Sequence, residues 1–265
     1  MENNLTRSAN KIKERFLNIN NKIDILIPYY NQQGYLVNLV ESIIKYTKNI
    51  EYNIYLINDG SSSSDDLRFF FKNYNKHIKI LDIAKNIGFG AAINFGLRNS
   101  FEKLKVILHS DCLVNNYTWL PSLYLSYLDL NKNFGCELVC SKTNYSGTKF
   151  DILESKSLEE CKNNNVVLDL PYIPFYSAIF SINLISKIGF FKEYPFLGYE
   201  DEEFCARLNQ ANIKIGLSNS SYIKHLGGKT ISALISKNSA IKNIIKKNRD
   251  LCKSDIKSLL VKNNN

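Results

Sequence analysis

The sequence predicts an α/β protein in which a mostly parallel central sheet is flanked by helices. Short apolar runs alternate with stretches whose apolar residues recur at helical spacing, and this alternation is clearest in the first half of the chain. Strands that alternate with helices pair in parallel and are joined by right-handed crossovers. With 265 residues, of which 45% are hydrophobic, the chain is long enough to bury the core of one large domain.

Four apolar runs and three helical patterns account for the first half. The run at residues 24–30 is short and is ended by Pro28 and Asn31, as expected for a buried strand. Further strands are predicted at residues 54–57, 78–83 and 106–108. Helices are predicted at residues 34–47, 67–74 and 88–101. A turn rich in Ser and Asp, residues 58–66, leads into the second of these helices.

The second half is less regular, but the same two patterns recur. Helices are predicted at residues 119–130, 184–188 and 200–211. Strands are predicted at residues 138–141 and 213–217, with one or two more within 166–182. The polar residues 142–165 are predicted to form a mobile loop. We divide the chain into a polar arm at 1–22, one domain at 23–235 and a basic amphipathic helical tail at 236–265.

The basic excess of the chain is concentrated at its two ends. The net charge is +9, yet residues 23–235 carry 21 basic and 21 acidic side chains. Residues 1–22 have a net charge of +3, and residues 236–265 one of +6. Basic ends on a neutral body favour contact with an anionic membrane surface or another polyanion. The alternative is that the basic excess reflects only the composition of the chain, in which Lys, Asn and Ile are abundant throughout. Nucleic acid is not an expected partner, since the basic ends lack an aromatic reading surface.

Cysteine usage and hydropathy indicate a cytoplasmic protein. The six cysteines are scattered without a C-x-x-C pair, which predicts reduced thiols and no zinc site. No stretch of uncharged apolar residues is long enough to cross a bilayer, and the first residues lack the apolar core of a secretory signal. The expected location is the cytoplasm, with a peripheral contact of the tail on the inner face of a membrane.

Polar side chains follow each of the four strands predicted in the first half. In an open parallel sheet, ligands bind outside the carboxyl ends of the strands. The residues at these ends are Tyr29, Tyr30, Asn31, Asn58, Asp59, Gly60, Lys85, Asn86, His109, Ser110 and Asp111. One polar strand end is an ordinary turn, but four together predict a shared pocket.

Five segments give the chain a resemblance to a known family. They are I-L-I-P-Y-Y-N (25–31), I-N-D-G-S (57–61), N-I-G-F-G-A-A-I-N-F-G-L (86–97), L-H-S-D (108–111) and I-G-F-F-K-E-Y-P-F-L-G-Y-E-D-E-E-F-C-A-R-L (188–208). In this order and spacing they resemble the large inverting family 2 of glycosyltransferases, which have the Rossmann-like GT-A fold. The resemblance implies that a sugar moves from a nucleotide diphosphate sugar, a UDP-sugar first of all, to a hydroxyl of a glycan, lipid-linked or protein acceptor.

The resemblance implies that the turn after the second strand holds the base of the donor. Asn58 and Asp59 offer hydrogen-bonding groups to a base edge, and Asn58 stands where many relatives carry a first acid. The structural interpretation is an Asx turn, in which such side chains bond their own backbone, and both can be true, since the turn would position Asp59. Further donor contacts are expected from Pro28, Tyr30, Lys85, Asn86, Gly88, Ser110 and Lys229.

Asp111 is the predicted ligand of a divalent metal, Mn²⁺ or Mg²⁺. A diphosphate carries adjacent negative charges, which such a cation bridges with help from a hard carboxylate oxygen. The family often has two acids flanking one residue here, whereas this chain has His109 in the first place. The resemblance adds His225 as a second metal ligand, since relatives often place such a His in this loop. The alternatives are a turn-capping aspartate and a structural histidine.

Four consecutive acids, residues 200–203, begin the helix predicted at 200–211. Acids suit a helix N-terminus because its free N–H groups and dipole favour negative charge, so a purely structural role is open. Inverting sugar transfer also needs a base that takes the proton from the acceptor hydroxyl. By resemblance Asp201 is that base, and Glu200 is the second candidate. Glu203 and Arg207 lie four residues apart and are predicted to pair on one helical face.

Two other functions compete with metal-dependent sugar transfer. A catalytically degenerate module that binds a nucleotide or glycan without turnover is compatible with Asn58 and His109, which stand where relatives carry acids. A sugar nucleotidyltransferase also uses a parallel α/β sheet, but it needs a glycine-rich, Arg-containing loop after the first strand. The segment P-Y-Y-N-Q-Q-G fits that loop poorly.

Overall fold

A sheet of nine strands organises the residues that the computed structural model describes, which are 22–62, 64–74, 77–161, 164–227 and 239–262. The strands are β1 (Ile23–Tyr29), β2 (Tyr52–Asp59), β3 (Ile78–Ile83), β4 (Leu104–Leu108), β5 (Cys112–Leu113), β6 (Cys136–Thr143), β7 (Val166–Leu168), β8 (Ser177–Ser181) and β9 (Lys214–His225). Nearly all of the predicted polar arm, residues 1–21, lies outside the described residues.

Seven α-helices lie in the same described ranges. They are α1 (Gln33–Tyr46), α2 (Ser64–Phe70), α3 (Phe89–Arg98), α4 (Trp119–Phe134), α5 (Asn183–Ile188), α6 (Glu200–Gln210) and α7 (Ala240–Lys262). Short 3₁₀ helices follow α2 at Phe71–Tyr74 and interrupt the loop after β6 at Asp151–Leu153. None of the described helices combines the length and apolar character that a bilayer span needs.

The first half of the sheet is parallel, as the alternation of strands and helices predicts. β2 and β4 flank β1 and run parallel to it, and β3 runs parallel to β2. The carboxyl ends of these strands therefore open at one edge of the sheet, where an open α/β sheet binds its ligands.

The second half of the sheet is mixed. β8 runs antiparallel to both of its neighbours, β4 and β6, whereas β6 and β9 are parallel. β5 and β7 both pair with β9 in antiparallel fashion. Strand direction here depends on tertiary pairing, and no local pattern within residues 166–182 reveals it. The protein is thus a mixed α/β structure with a parallel first half.

Both faces of the sheet are buried, which explains the uninterrupted apolar runs of the central strands. Ile25 and Ile27 of β1 pack in a core with α1 and α4. Leu26, which lies between them and points to the opposite face, packs in a second core with α3 and α6. This alternation positions α3 and α6 on the same face of the sheet.

The end of β9 differs from the prediction in a way that shapes the site. The strand continues to His225 instead of ending near residue 217, because β5 and the end of β6 supply ladder partners beyond an irregularity in the pairing. The loop after β6 also has fixed contacts, since Glu154 Oε1 accepts hydrogen bonds from both N and Oγ of Ser146. Both features bring the end of β9 and residues 145–147 to the ligand-binding edge.

Candidate active site

A cavity of about 360 Å³ opens at the carboxyl ends of β1, β2 and β4. The predicted site residues that line it are Pro28, Tyr30, Asp59, Asn86, Ser110, Asp111, Glu200, Asp201 and His225. Three other predicted residues, Asn58, Lys85 and Gly88, do not line it, and Lys229 lies outside the described residues. Asp111 and Asp201, which are far apart in the chain, therefore open into one space.

Two histidines and one carboxylate form a cluster in this cavity. One ligand atom from each of His109, Asp111 and His225 lies within 4.8 Å of the others. His109 follows β4 directly, and a tight turn in which Cys112 N donates to His109 O places Asp111 beside it. His225 arrives from the end of β9, where it is the ladder partner of Cys112.

The ring of His225 is held in one orientation. Its Nδ1 lies 2.8 Å from the carbonyl oxygen of Tyr145, so an N–H donates there and Nε2 faces Asp111 Oδ1 at 3.3 Å. Asn144 holds the backbone of His225, since Oδ1 accepts from His225 N and Nδ2 donates to His225 O. A metal-ligating histidine commonly donates its other ring N–H to a carbonyl in this way, which fixes the tautomer.

The environment drives the two imidazoles toward different protonation states. Burial, together with the neighbouring His225, lowers the pKa of His109 to about 4, so His109 is neutral at neutral pH. Burial also lowers the pKa of His225, but the hydrogen bond and charge of Asp111 and the Tyr145 carbonyl outweigh it and raise the pKa overall. A neutral imidazole and an ionised carboxylate are the forms that bind metals.

The residues of this cluster fit a divalent cation. Oxygen or nitrogen ligands held at about 2.1 Å and at right angles are about 3 Å apart. The distance of 3.3 Å between His225 Nε2 and Asp111 Oδ1 is close to that separation. Two imidazoles in the set differ from the oxygen ligands that Mg²⁺ prefers.

Asp59 links the turn after β2 to the start of α3. Its Oδ1 accepts from Ile87 N at 2.7 Å, and its Oδ2 accepts from Asn86 Nδ2 at 2.8 Å and from Gly88 N at 3.1 Å. Burial raises the pKa of Asp59, and the two backbone hydrogen bonds oppose that rise. Asp59 and Asn86 thus line the cavity as one fixed unit.

Asn58 is used within its own turn. Its Oδ1 accepts from Ser61 N at 2.9 Å, and its Nδ2 donates to Asp82 Oδ1 at 2.9 Å. This is the Asx-turn arrangement that the structural interpretation predicts. Lys85 is exposed beside this turn and also lies outside the cavity lining. The structure therefore separates these two residues from the other candidates.

Gly88 acts through its backbone. Its φ of 97° lies in the region that favours glycine, and a Cβ there would lie 2.4 Å from the carbonyl oxygen of Tyr194. The next residue, Phe89, donates its N–H to Phe196 O at 2.7 Å. Gly88 therefore allows the start of α3 to contact the loop at residues 194–199, which we call the wall loop.

Glu200 and Asp201 begin α6, and each has one oxygen that no other described residue bonds. Glu200 Oε2 accepts from Gly198 N at 2.6 Å, and Asp201 Oδ2 accepts from Phe175 N at 3.3 Å. Within the described part of the chain, Glu200 Oε1 and Asp201 Oδ1 are buried and have no hydrogen-bond partner. Both residues line the cavity, and a buried oxygen without a partner is a group that a bound molecule can satisfy.

Burial raises the pKa of both carboxyl groups toward neutrality. The pKa of Asp201 rises to about 7, chiefly through burial, with a hydrogen bond from Phe175 N opposing the rise and the charge of Glu202 adding to it. The pKa of Glu200 rises to about 8 because burial and the charge of Asp201 outweigh the hydrogen bonds from the backbone. A carboxyl group that titrates near neutrality is suited to acid–base chemistry there.

The wall loop carries backbone strain next to these acids. Phe196 and Tyr199 have φ values of 62° and 76°, which non-glycine residues rarely adopt. Such residues cost on the order of 1–3 kcal/mol each and persist where the surroundings hold them. Phe196, Leu197, Gly198 and Tyr199 all line the cavity, so the strained segment is part of the site.

The predicted pair of Glu203 and Arg207 is confirmed. Arg207 Nη2 donates to Glu203 Oε2 at 2.7 Å, and Arg207 Nε donates to Oε1 at 2.9 Å. Arg207 Nη1 also donates to the carbonyl oxygen of Ile188. The pair anchors α6 to the end of α5 and does not line the cavity.

The family match agrees with this site. A family model described as glycosyl transferase family 2 matches residues 24–188, which is more than half of the chain. The chain belongs to glycosyl transferase family 2. The matched range contains His109 and Asp111 and ends before α6, His225 and α7.

Two curated relatives of this family member act in teichoic acid synthesis by name. The chain is 42% identical over 87 residues to the Bacillus subtilis minor teichoic acid biosynthesis protein GgaA, a match that covers 31% of this chain and 19% of that protein. It is 29% identical over 99 residues to the Staphylococcus epidermidis teichoic acid poly(glycerol phosphate) polymerase, covering 37% of this chain and 14% of that protein. The matches thus span less than a fifth of the length of either relative.

A solved glycosyltransferase structure shares the fold. The crystal structure of GalNAc-T7 with UDP, GalNAc and Mn²⁺ matches with a TM-score of 0.64 and 16% sequence identity. The match covers 78% of this chain and 44% of that chain. It establishes that this member of family 2 has the GT-A fold.

Several residues that build the cavity of this family 2 member are not assigned from the sequence. His109 carries a usable signal, because it lies at a strand end two residues before the predicted metal ligand Asp111. Tyr145 and Ser146 lie in the predicted loop at 142–165, which has no motif. Only the tertiary structure, through the pairing of β9 with β5 and β6, places that loop beside His225.

Proposed function

We propose that this family 2 protein transfers a sugar, with inversion, from a UDP-sugar to an acceptor hydroxyl in glycan synthesis. The observation that carries the proposal is the single cavity that holds both the His109–Asp111–His225 cluster and the Asp201 carboxyl. One part of such a site serves the leaving diphosphate and the other serves the incoming alcohol.

The donor side of the cavity is built on the strand ends. Asp59 and Asn86 are hydrogen-bonded to each other at the turn after β2, and we propose that they bind the nucleotide base of the donor. His109, Asp111 and His225 hold the divalent cation, Mn²⁺ in preference to Mg²⁺. A bound cation neutralises charge on the departing diphosphate.

The acceptor side is built on the start of α6. The acceptor oxygen forms a bond to the anomeric carbon while the bond from that carbon to the diphosphate oxygen breaks. The hydroxyl proton passes to Asp201, whose Oδ1 has no hydrogen-bond partner within the described residues. Glu200, with its own unpartnered oxygen in the same cavity, is placed to bind a second acceptor group.

The comparisons support the donor and acceptor classes. UDP and Mn²⁺ occupy the GalNAc-T7 structure that shares this fold. The two curated relatives act on teichoic acids by name, which supports a cell-wall polymer or its lipid-linked precursor as the acceptor.

The proposal is tested with a panel of sugar nucleotides, Mn²⁺ and candidate glycan or polyol phosphate acceptors. The expected result is release of UDP coupled to a glycosylated product, and loss of turnover on chelation of the metal. Pyrophosphate release from a nucleoside triphosphate would identify a nucleotidyltransferase instead. Tight UDP binding without transfer to any acceptor would identify a binding module.

We also propose that α7 contacts the anionic inner face of a membrane. Its exposed basic residues are Lys242, Lys246, Lys247, Arg249, Lys253 and Lys257. Leu260 and Val261, at 64% and 54% exposure, add apolar groups at the end of the helix. Such a combination favours an anionic lipid surface.

This membrane contact is tested by sedimentation with phosphatidylglycerol vesicles. The variant Lys246→Glu with Lys247→Glu is expected to lose binding, whereas the control Lys103→Glu with Lys132→Glu, on exposed parts of the main domain, keeps it. Equal binding of both double variants would contradict the assignment.

A further inference from the structure

One face of α7 lies against the wall loop. Its contact residues are Ile245, Asn248, Cys252 and Asp255, which are three or four positions apart and therefore form one stripe. The stripe begins at Ile245, whose Cγ2 would lie 3.7 Å from a Cβ added at Gly198, and ends at Asp255, whose Oδ2 accepts from Tyr194 OH at 2.8 Å. α7 lies outside the range that the family model matches.

Asn248 makes the most direct of these contacts. Its Nδ2 donates to Pro195 O at 2.8 Å and to Leu197 O at 3.2 Å, and the residue is 1% exposed. Its Oδ1 is buried without a partner among the described residues. Burying the Asn248 Oδ1 without a partner costs free energy. The two hydrogen bonds that Nδ2 donates offset this cost, and they explain why an amide occupies the position.

The contacts fall on the strained residues of the wall loop. The two carbonyl groups that Asn248 binds belong to the neighbours of Phe196, which has the left-handed φ. Tyr199, the second such residue, has its carbonyl oxygen 3.5 Å from the Cys252 thiol, which donates to it. α7 therefore holds the loop at both of its strained points, and α3 adds a further bond through Phe89.

The wall loop in turn supports the acids. Gly198 N donates to Glu200 Oε2, and Tyr199 is the residue from which α6 starts. A shift of the loop moves the first turn of α6, and with it the side chains of Glu200 and Asp201 that line the cavity.

We propose that Asn248 is a positioning residue for sugar transfer, which holds the wall loop so that the acids of α6 face the acceptor. The inference rests on the proposed function and extends it to a helix beyond the matched family range. It assigns no contact between Asn248 and either substrate.

The test compares Asn248→Ala with Asn243→Ala, which removes the same side chain from an exposed position of α7. We expect kcat to fall about tenfold in Asn248→Ala, as loss of two hydrogen bonds to a strained loop implies. The donor KM and the affinity for UDP with Mn²⁺ should stay within about twofold, because Asp59 and Asn86 are held by bonds to each other and to the start of α3 rather than by Asn248. Amide hydrogen exchange across residues 194–199 should speed up about tenfold. Asn243→Ala should match the parent in every measurement.

Equal kcat and equal loop exchange in the two variants would overturn the inference, as would a parallel loss of UDP affinity in Asn248→Ala. If Asn248→Ala does not fold, Tyr194→Phe removes only the hydroxyl bond to Asp255 and should give a smaller change of the same kind. Unchanged kcat and exchange in that variant would also overturn it. If the parent transfers no sugar, the proposed function fails, and the exchange measurement decides alone whether Asn248 holds the loop.

Discussion

Replacing Asp201 by Asn should separate the catalytic role of this carboxyl from its effect on stability. The amide keeps an oxygen that can accept from Phe175 N but cannot take a proton from the acceptor. A positioned general base contributes roughly 10²–10⁴-fold to the rate, so kcat is expected to fall by about that factor. The donor KM should change little, because the donor groups lie on the strand-end side of the cavity.

The same burial that tunes Asp201 destabilises the fold at neutral pH. In the unfolded chain its carboxyl ionises near the ordinary value of 3.8, whereas in the folded protein the pKa is about 7. Between those values the unfolded state binds fewer protons, so the free energy of unfolding falls as pH rises from about 4 to about 7. At about 1.4 kcal/mol for each pH unit, the loss has an upper limit of about 4 kcal/mol.

An amide at this position carries no such penalty. The Asp201→Asn protein should therefore be more stable than the parent at about pH 8, by an amount up to that limit, and similar to it at about pH 4. Urea unfolding at both pH values measures the difference. The kcat of the parent should rise with pH and level off above an apparent pKa of about 7.

Glu202→Gln is the matched control for these measurements. Glu202 is the next acid of α6 but does not line the cavity, so its amide variant should keep a rate close to that of the parent. Asp201 is not the catalytic base if the Asp201→Asn protein turns over as fast as the parent. Its pKa is not raised in the folded protein if the stability of the variant relative to the parent is the same at both pH values.

Three further predictions follow from single sites. His225→Ala should weaken Mn²⁺ binding by at least about tenfold, whereas a change of the exposed His77 to Ala should not. Mn²⁺ binding is measured by the dependence on Mn²⁺ concentration of the turnover rate and of UDP binding in calorimetry. Gly88→Ala should lower the free energy of unfolding by about 1–3 kcal/mol, because the added methyl group meets backbone at 2.4 Å with φ at 97°. Asp24→Ala should cost about 3–5 kcal/mol in urea unfolding, since it leaves the buried Lys105 ammonium, now 2.8 Å from Asp24, without its charged partner. Adding Lys105→Met should recover most of that loss.

The parallel half of the fold could be predicted because its signals are local. β1 and β3 lie within one residue of the predicted bounds, since each is a continuous apolar run between polar turns. The direction of β8 and the length of β9 could not be predicted, because both depend on partners that are distant in sequence. β9 continues past its first apolar residues into a polar stretch, S-N-S-S, which alternation does not identify as strand.

The residues of the site could be predicted where the side chains that line the cavity lie at strand ends. Asp59 ends β2 and Asp111 lies in the turn after β4, and both line the cavity. Asn58 shares that position in the sequence, yet its side chain is used by the turn, which only the hydrogen bonds to Ser61 and Asp82 reveal. Sequence spacing locates a strand end, but it does not say which of two adjacent side chains faces the ligand.

The two sides of the cavity are held by different kinds of structure, so substitutions on one side should affect a different step from substitutions on the other. Asp59 ends β2, His109 and Asp111 follow β4, and His225 ends β9, and each of these strands has ladder partners on both sides. The acids of α6 are fixed by a strained loop that both α3 and α7 bond. Because burial raises the pKa of both acids, the fold must also supply the free energy that keeps them in the cavity. Changes in α7 should therefore alter acceptor turnover while leaving donor and metal binding intact.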